Sequence, residues 1–137
     1  MKMAVKIVNT EGKRKSAVAR ATTRAGTGVI RINNVILDNM HDNYFKQKIM
    51  EPLIIADDKL TKKVDIKVNV IGGGVNGQAE AARLAIARGL VEWSKDQKLQ
   101  SSYVSYDRTL LVADVRRREP YKPNDSKARA KRQSSKR

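Results

Sequence analysis

Val64-Asp65-Ile66-Lys67-Val68-Asn69-Val70-Ile71, running into Gly72-Gly73-Gly74-Val75-Asn76-Gly77, is the stretch that decides the fold. Apolar residues at 64, 66, 68 and 70 alternate with Asp65, Lys67 and Asn69, the period of a strand with one face in the core and one wetter. After the glycines the period changes. Ala79, Ala82, Ile86, Leu90 and Trp93 recur at helical spacing, with Glu80, Arg83 and Glu92 opposite. A strand, a glycine turn and a long helix make an α/β chain. The alanines and Gly89 predict that the helix lies close to the sheet, and Trp93 reads as closing one end of the core rather than stacking on a base.

Upstream, residues 3–9 alternate around Val5 and Ile7, a polar turn is expected at Glu11-Gly12, and Ser16–Thr23 and Val29–Leu37 read as two more strands separated by Gly26-Thr27-Gly28. Ala17, Ala19 and Ala21 share one face of the second strand, with Val18, Arg20, Thr22 and Arg24 on the other. Lys13, Arg14 and Lys15 precede that strand, so a contiguous basic ridge is expected from Lys13 to Arg24, in a phosphate-contact pattern. Two helical pieces, about 40–49 and 52–58, are expected to be split at Pro52. Residues 96–108 read as a second helix or ordered loop, and 109–115 as a last extended segment. About 115 residues suffice for one core but not two, so the expected organisation is a domain at 1–115 and an appendage at 116–137.

That appendage carries ten Lys or Arg against Glu119 and Asp125. It holds over half of the chain's net charge of +15 and has no apolar periodicity, so it is expected to be disordered or extended until it meets a polyanion. The body is basic too, with 19 Lys or Arg against 12 acids, which makes nucleic acid the leading partner. Cysteine is absent, excluding disulfides, thiolate metal sites and cysteine nucleophiles. No stretch reads as a membrane span or secretory leader. The tail lacks the aromatic and leucine face that would insert into a lipid surface.

Gly72, Gly74 and Gly77 satisfy G-x-G-x-x-G between a strand and a helix, but Lys95-Asp96-Gln97-Lys98 supplies no following strand with an acidic ribose partner. Three readings stand: a nucleotide site, a plain turn, or backbone N–H groups offered to an RNA phosphate. His41, the one histidine, has no acid or nucleophile motif beside it. Asp38 and Asp57-Asp58 read as surface charges, not metal ligands. Neither an enzyme, a cofactor nor a homo-oligomer is expected, and a free-standing nucleic-acid architectural protein is the alternative function.

Four blocks then carry a resemblance: Gly12-Lys13-Arg14-Lys15-Ser16-Ala17-Val18-Ala19-Arg20, Gly26-x-Gly28-x-Ile30-x-Ile32-Asn33, the run from Gly72 to Arg88, and Ala128-Arg129-Ala130-Lys131-Arg132-Gln133-x-Ser135-Lys136-Arg137. In that order they closely resemble the universal small-subunit ribosomal protein nine family. Lys48–Leu53 and Tyr106–Leu111 look like its archaeal and eukaryotic branch, and the short N-terminus favours an archaeon. The resemblance implies a two-layer α/β sandwich with a four-stranded sheet covered by helices. It also implies a left-handed β-α-β crossover, as in the second domain of ribosomal protein S-five and against the general preference. It further implies a cytoplasmic ribosomal protein in the head of the small subunit, beside other head proteins. Its ribosomal RNA contacts would fall on Lys13, Arg14, Lys15, Arg20, Arg24, Gly72, Gly73, Gly74, Gly77, Arg116, Arg117, Arg118, Lys122, Lys127, Arg129, Lys131 and Arg132. Ser135, Lys136 and Arg137 would touch transfer RNA in the peptidyl site. At 3.3–3.6 Å per residue the tail could span roughly 70 Å, enough to leave its domain.

Overall fold

The computed structural model describes residues 5–135. Strands β1 (Ile7–Arg14), β2 (Ala17–Ala25), β3 (Ile30–Ile32), β4 (Val35–Ile36) and β5 (Val64–Ile71) form one sheet in the order β1-β2-β5-β3-β4. Helices α1 (Asn43–Ile55) and α2 (Asp58–Thr61) precede β5, and α3 (Val75–Ser94) and α4 (Gln97–Tyr106) follow it. β3 runs parallel to β5, while the other pairings are antiparallel. The chain between that parallel pair passes through α1. The expectation of four strands is corrected to five. Inside the apolar run 29–37, Asn33 and Asn34 both take left-handed backbone angles (φ 48° and 69°), the combination a two-residue hairpin turn needs and asparagine tolerates. They fold the expected single strand back on itself.

β1 is longer than expected and passes through Glu11 and Gly12. The turn falls at Lys15-Ser16, and Arg14 pairs with Ala17. The reason lies beneath Gly12, where a Cβ would stand 2.1 Å from the Ala81 carbonyl oxygen and 2.8 Å from the Ala85 nitrogen. The backbones of α3 and β1 touch there. The alanines match this approach: Ala17, Ala19 and Ala21 of β2 and Ala79, Ala81, Ala82 and Ala85 of α3 are all buried, so helix and sheet meet through short side chains. Thr10 Oγ1 donates to the Ala85 carbonyl at 2.8 Å, filling the next gap along the contact.

The split at Pro52 is not observed; α1 continues through it. An interior proline removes one hydrogen bond and costs roughly 3 kcal/mol. Here Phe45, Ile49 and Pro52 form one buried face, and the Pro52 carbonyl accepts from both Ala56 N and Tyr103 Oη. Interrupting the helix would expose that face. Asp42 caps it by accepting from Phe45 N. Trp93 is partly buried against the core, with Lys6 over its ring. Of the extended segment expected at 109–115, the first two residues fall in a 3-10 turn, Arg108–Leu110, whose Leu110 is fully buried, and the rest forms neither helix nor strand. Arg88 donates to the carbonyls of Glu11 on β1 and of Leu111, and so bridges the sheet edge and the chain after the 3-10 turn. Arg83, expected on the wet side of α3, is only 6% exposed. It pairs with Glu51 at 2.9 Å and Asp107 at 2.6 Å, linking α1, α3 and the end of α4.

Asp65 holds the loop between β2 and β3. Its Oδ1 accepts from the backbone N–H groups of Thr27, Gly28 and Val29 at 2.8–3.1 Å. These bonds, that from Val29 foremost, hold its carboxyl below the ordinary 3.8, with a further contribution from Arg24. Because the folded value is depressed, this anchorage is complete above 3.8 and is lost as pH falls through the folded value.

Two outcomes follow. Gly12→Ala should destabilise the protein by about 3 kcal/mol or more, because the methyl meets backbone on both sides, whereas Gly74→Ala, with nothing within 4 Å of its Cβ, should leave the urea midpoint close to that of the parent. Asp65→Asn should speed amide exchange at Thr27, Gly28 and Val29 at neutral pH. In the parent, the same acceleration, corrected for intrinsic rates, should appear only on acidification below 3.8.

Candidate nucleic-acid interface

The helices lie on one side of the sheet, the side of Ala17, Ala19, Ala21, Thr23, Val64, Ile66, Val68 and Val70. Strand alternation sends the intervening residues to the other side, where no element among the described residues covers them. Register then sets the order across that face. Arg20 lies between Glu11 and Asn69, Thr22 lies between Asn9 and Lys67, and Lys67 in turn pairs with Arg31. Arg24 sits beside Asp65. Lys13, Arg20, Arg24, Arg31 and Lys67 are all exposed. Of the two acids nearby, Asp65 is occupied by three backbone donors, which leaves Glu11 beside Arg20 as the main local counter-charge. The face is an open, cationic, slightly grooved platform, with Thr22, Arg24, Arg31 and Lys67 around one shallow depression.

The expected ridge from Lys13 to Arg24 holds for Lys13, Arg20 and Arg24, but Arg14 leaves it. Arg14 follows Lys13 in a strand, so its side chain points to the helix side. There it pairs with Glu80 at 2.5 Å and Asp114 at 2.9 Å and is only 14% exposed. Its charge is committed within the protein. Arg31 and Lys67 join the face instead. Lys67 was signalled by the alternation of 64–70, whereas Arg31 required the β3–β5 register, which no local pattern supplies.

Lys15 occupies the hairpin turn with φ 54°, beside the start of α3. Lys15 and Ser16 face Gly73, Gly74 and Gly77 across a shallow cleft. Gly72 and Gly73 have positive φ (76° and 66°), and a Cβ on Gly72 would stand 2.5 Å from the Ser16 carbonyl, so the glycine loop packs directly on the hairpin tip. Gly74 caps α3 without a side chain, and the first intrahelical bond runs from Gln78 N to the Gly74 carbonyl. The preceding N–H groups therefore begin the helix unpaired by it, next to a lysine. That arrangement suits an anionic oxygen.

From 113 to 135 the chain forms neither helix nor strand. Asp114 holds its base: it pairs with Arg14 and with Arg116 at 2.7 Å, and the Arg116 hydrogen bonds keep its carboxyl far below the usual range. Arg117 donates to the Asp114 and Arg116 carbonyls, and Arg118 stacks on Tyr121. Glu119 pairs with Lys122 at 2.5 Å and Arg129 at 2.7 Å, and Asp125 with Lys131 at 3.6 Å. A contact between residues 119 and 129 requires a loop, so this part of the tail is folded back rather than fully extended. Lys127 and Arg132 make no ion pair among the described residues. Ser135 is the last described residue, and the expected tip, Lys136 and Arg137, lies outside the described residues. No helix among the described residues is long and apolar enough to cross a membrane.

The family model described as Ribosomal protein S9/S16 matches residues 12–137. The chain is 47% identical over 133 residues to a small ribosomal subunit protein uS9 from Methanococcus maripaludis, covering 96% of this chain and 98% of that protein. It is 49% identical over 131 residues to the uS9 of Methanothrix thermoacetophila, with the same coverage of each. Both relatives are archaeal, within the archaeal and eukaryotic branch that Lys48–Leu53 and Tyr106–Leu111 resemble. With the match running through the hairpin, the glycine loop and the basic tail alike, the chain belongs to the ribosomal protein S9/S16 family.

Proposed function

We propose that this chain is a structural constituent of the small subunit of the cytoplasmic ribosome, in the archaeal manner of its relatives. The family is non-enzymatic, and the chain acts by holding RNA in place. The observation that carries this reading is the uncovered sheet face with Lys13, Arg20, Arg24, Arg31 and Lys67 in register. An array of cations on a rigid platform neutralises phosphates without reading bases. Lys15 and the backbone at Gly72, Gly73, Gly74 and Gly77 form a second contact at the hairpin tip. The body, 1–115, is the RNA-bound domain in the subunit head, and its crossover from β3 through α1 to β5 is the left-handed one of the family.

The tail, 116–137, is a separate functional part. On RNA its cations Arg116, Arg117, Arg118, Lys122, Lys127, Arg129, Lys131 and Arg132 take phosphates, and for Arg116, Lys122, Arg129 and Lys131 these replace the internal carboxylates of Asp114, Glu119 and Asp125. The loop held by Glu119 opens into an extended strand thin enough to run between RNA helices. Ser135, Lys136 and Arg137 then reach the transfer RNA in the peptidyl site and position it through backbone charge. A protein that serves every transfer RNA has no use for base contacts.

Replacing Lys13, Lys15, Arg20 and Arg24 together with Gln should lower occupancy in purified small subunits, read by quantitative mass spectrometry, while the melting temperature of the free protein stays near that of the parent. Arg14→Gln should do the opposite, lowering stability by stranding Glu80 and Asp114 more than it lowers RNA affinity. Unchanged occupancy in the fourfold variant would remove the platform from the RNA interface. Deleting Lys136 and Arg137 should leave assembly intact but weaken transfer RNA binding to programmed subunits. The slope of log affinity against log salt should fall by at most roughly 1.4, about 0.7 for each lost contact to a single-stranded backbone. Filter binding across a salt series measures it, and a parental constant and slope would exclude the tip as a transfer RNA contact.

A further inference from the structure

At the pole of the molecule formed by α1, the start of α2 and the β3–β4 hairpin, the surface changes character. Between Asp38 and Asp58 the sequence has five acids against two lysines, a local reversal in a chain of net charge +15 that is bordered directly by Lys59, Lys62 and Lys63. Of these acids, Glu51 is engaged by Lys48 and the buried Arg83. Asp38 and Asp58 remain mostly in solvent, at 88% and 82% side-chain exposure, each with one loose lysine partner, Lys46 at 3.9 Å and Lys62 at 3.7 Å. Surface pairs of that kind contribute little and are readily exchanged.

Between these two carboxylates lies an apolar groove of about 370 Å³ with Ile36, Met50, Leu53 and Ile54 along it. Met50 and Ile54 stand one helical turn apart on α1, and Ile54 is 73% exposed, the most exposed isoleucine or leucine among the described residues. A large apolar side chain left in water beside other apolar side chains marks a protein contact. An RNA backbone would find one cation, Lys62, beside two carboxylates on the groove's lining.

We propose that this groove seats a segment of a neighbouring protein in the subunit, one that inserts a single large apolar side chain between Ile54, Met50 and Ile36 and places Lys or Arg against Asp38 and Asp58. The inference rests on the ribosomal reading above and adds a division of surface: RNA on the open sheet face, protein at the α1 pole. The carboxylates select a cationic partner from a crowded assembly, and the groove fixes its register. Charge supplies the choice of partner and burial the grip.

The test uses full-length chains assembled into small subunits. One carries Ile54→benzoylphenylalanine, and a second carries Arg31→benzoylphenylalanine as a reference on the open sheet face. After irradiation, position 54 should join a protein, at a peptide with an apolar residue flanked by Lys or Arg, while position 31 joins ribosomal RNA. Adding Asp38→Lys and Asp58→Lys to the first chain should cut its protein product several-fold without changing its incorporation. A product at position 54 with RNA, with an acidic peptide or with nothing beyond the chain itself overturns the proposal, as does indifference to the two lysines. If neither chain enters small subunits, the ribosomal reading itself fails and the docking proposal falls with it. If both enter but position 31 finds no RNA, the platform is wrong while the groove is judged by position 54 alone.

Discussion

The contact between the α3 backbone and β1 at Gly12 is the constraint on which the rest of the architecture depends. A helix lying that close to a sheet needs small residues on both sides, and the alanines of β2 and α3 supply them. Close approach spreads the α3 contact over β1, β2 and β5, so one long helix covers most of one sheet face. With α1 and α4 packed on α3 rather than on the opposite side, the other face is left bare. Its freedom to carry cations comes from that single-sided packing, because side chains that support no core can be selected for charge alone.

A strongly basic chain must also keep its cations from opposing its own folding. The structure sorts them by depth. Arg83 and Arg14 lie inward, each between two carboxylates on different elements, so their charge ties α1, α3, the end of α4 and the tail base together. Removing one member of such a cluster leaves the others uncompensated in a poorly hydrated place. Lys13, Arg20, Arg24, Arg31 and Lys67 lie outward on the sheet, where water screens them. The tail follows a third course, carrying its own acids, Glu119 and Asp125, as partners for Lys122, Arg129 and Lys131, while Asp114 just before it holds Arg116.

Much of this was legible in the sequence where a period was uninterrupted. The alternation of 64–70 located β5 and its wet face, the helical spacing after Gly77 located α3, and the alanines and Gly89 of that helix predicted close packing. Features set by contacts distant in sequence were hidden. Nothing local tells that α1 retains Pro52 because Phe45 and Ile49 need a continuous face, or that Arg88 bridges Leu111 to β1; the Asn33-Asn34 turn did have a local signal, two adjacent asparagines, masked by the apolar residues on either side. At the site, Arg14 was read with its neighbours because adjacent charges in a sequence suggest one patch. In a strand they point to opposite sides, and only the placement of the turn at Lys15-Ser16 decides which goes where. Arg31 became visible through the parallel register with β5.

Arg88 has one more effect. β1 is the outer strand of the sheet and eight residues long, a row of unpaired backbone groups of the kind through which chains stick to one another and precipitate. Arg88 occupies the Glu11 carbonyl midway along that row and holds the chain at Leu111 beside it, while the opposite outer strand, β4, is only two residues long. One border of the sheet is thus interrupted at Glu11 and the other is short. An arginine that faces away from the cationic platform thereby narrows the stretch of sheet border through which edge-to-edge aggregation could start.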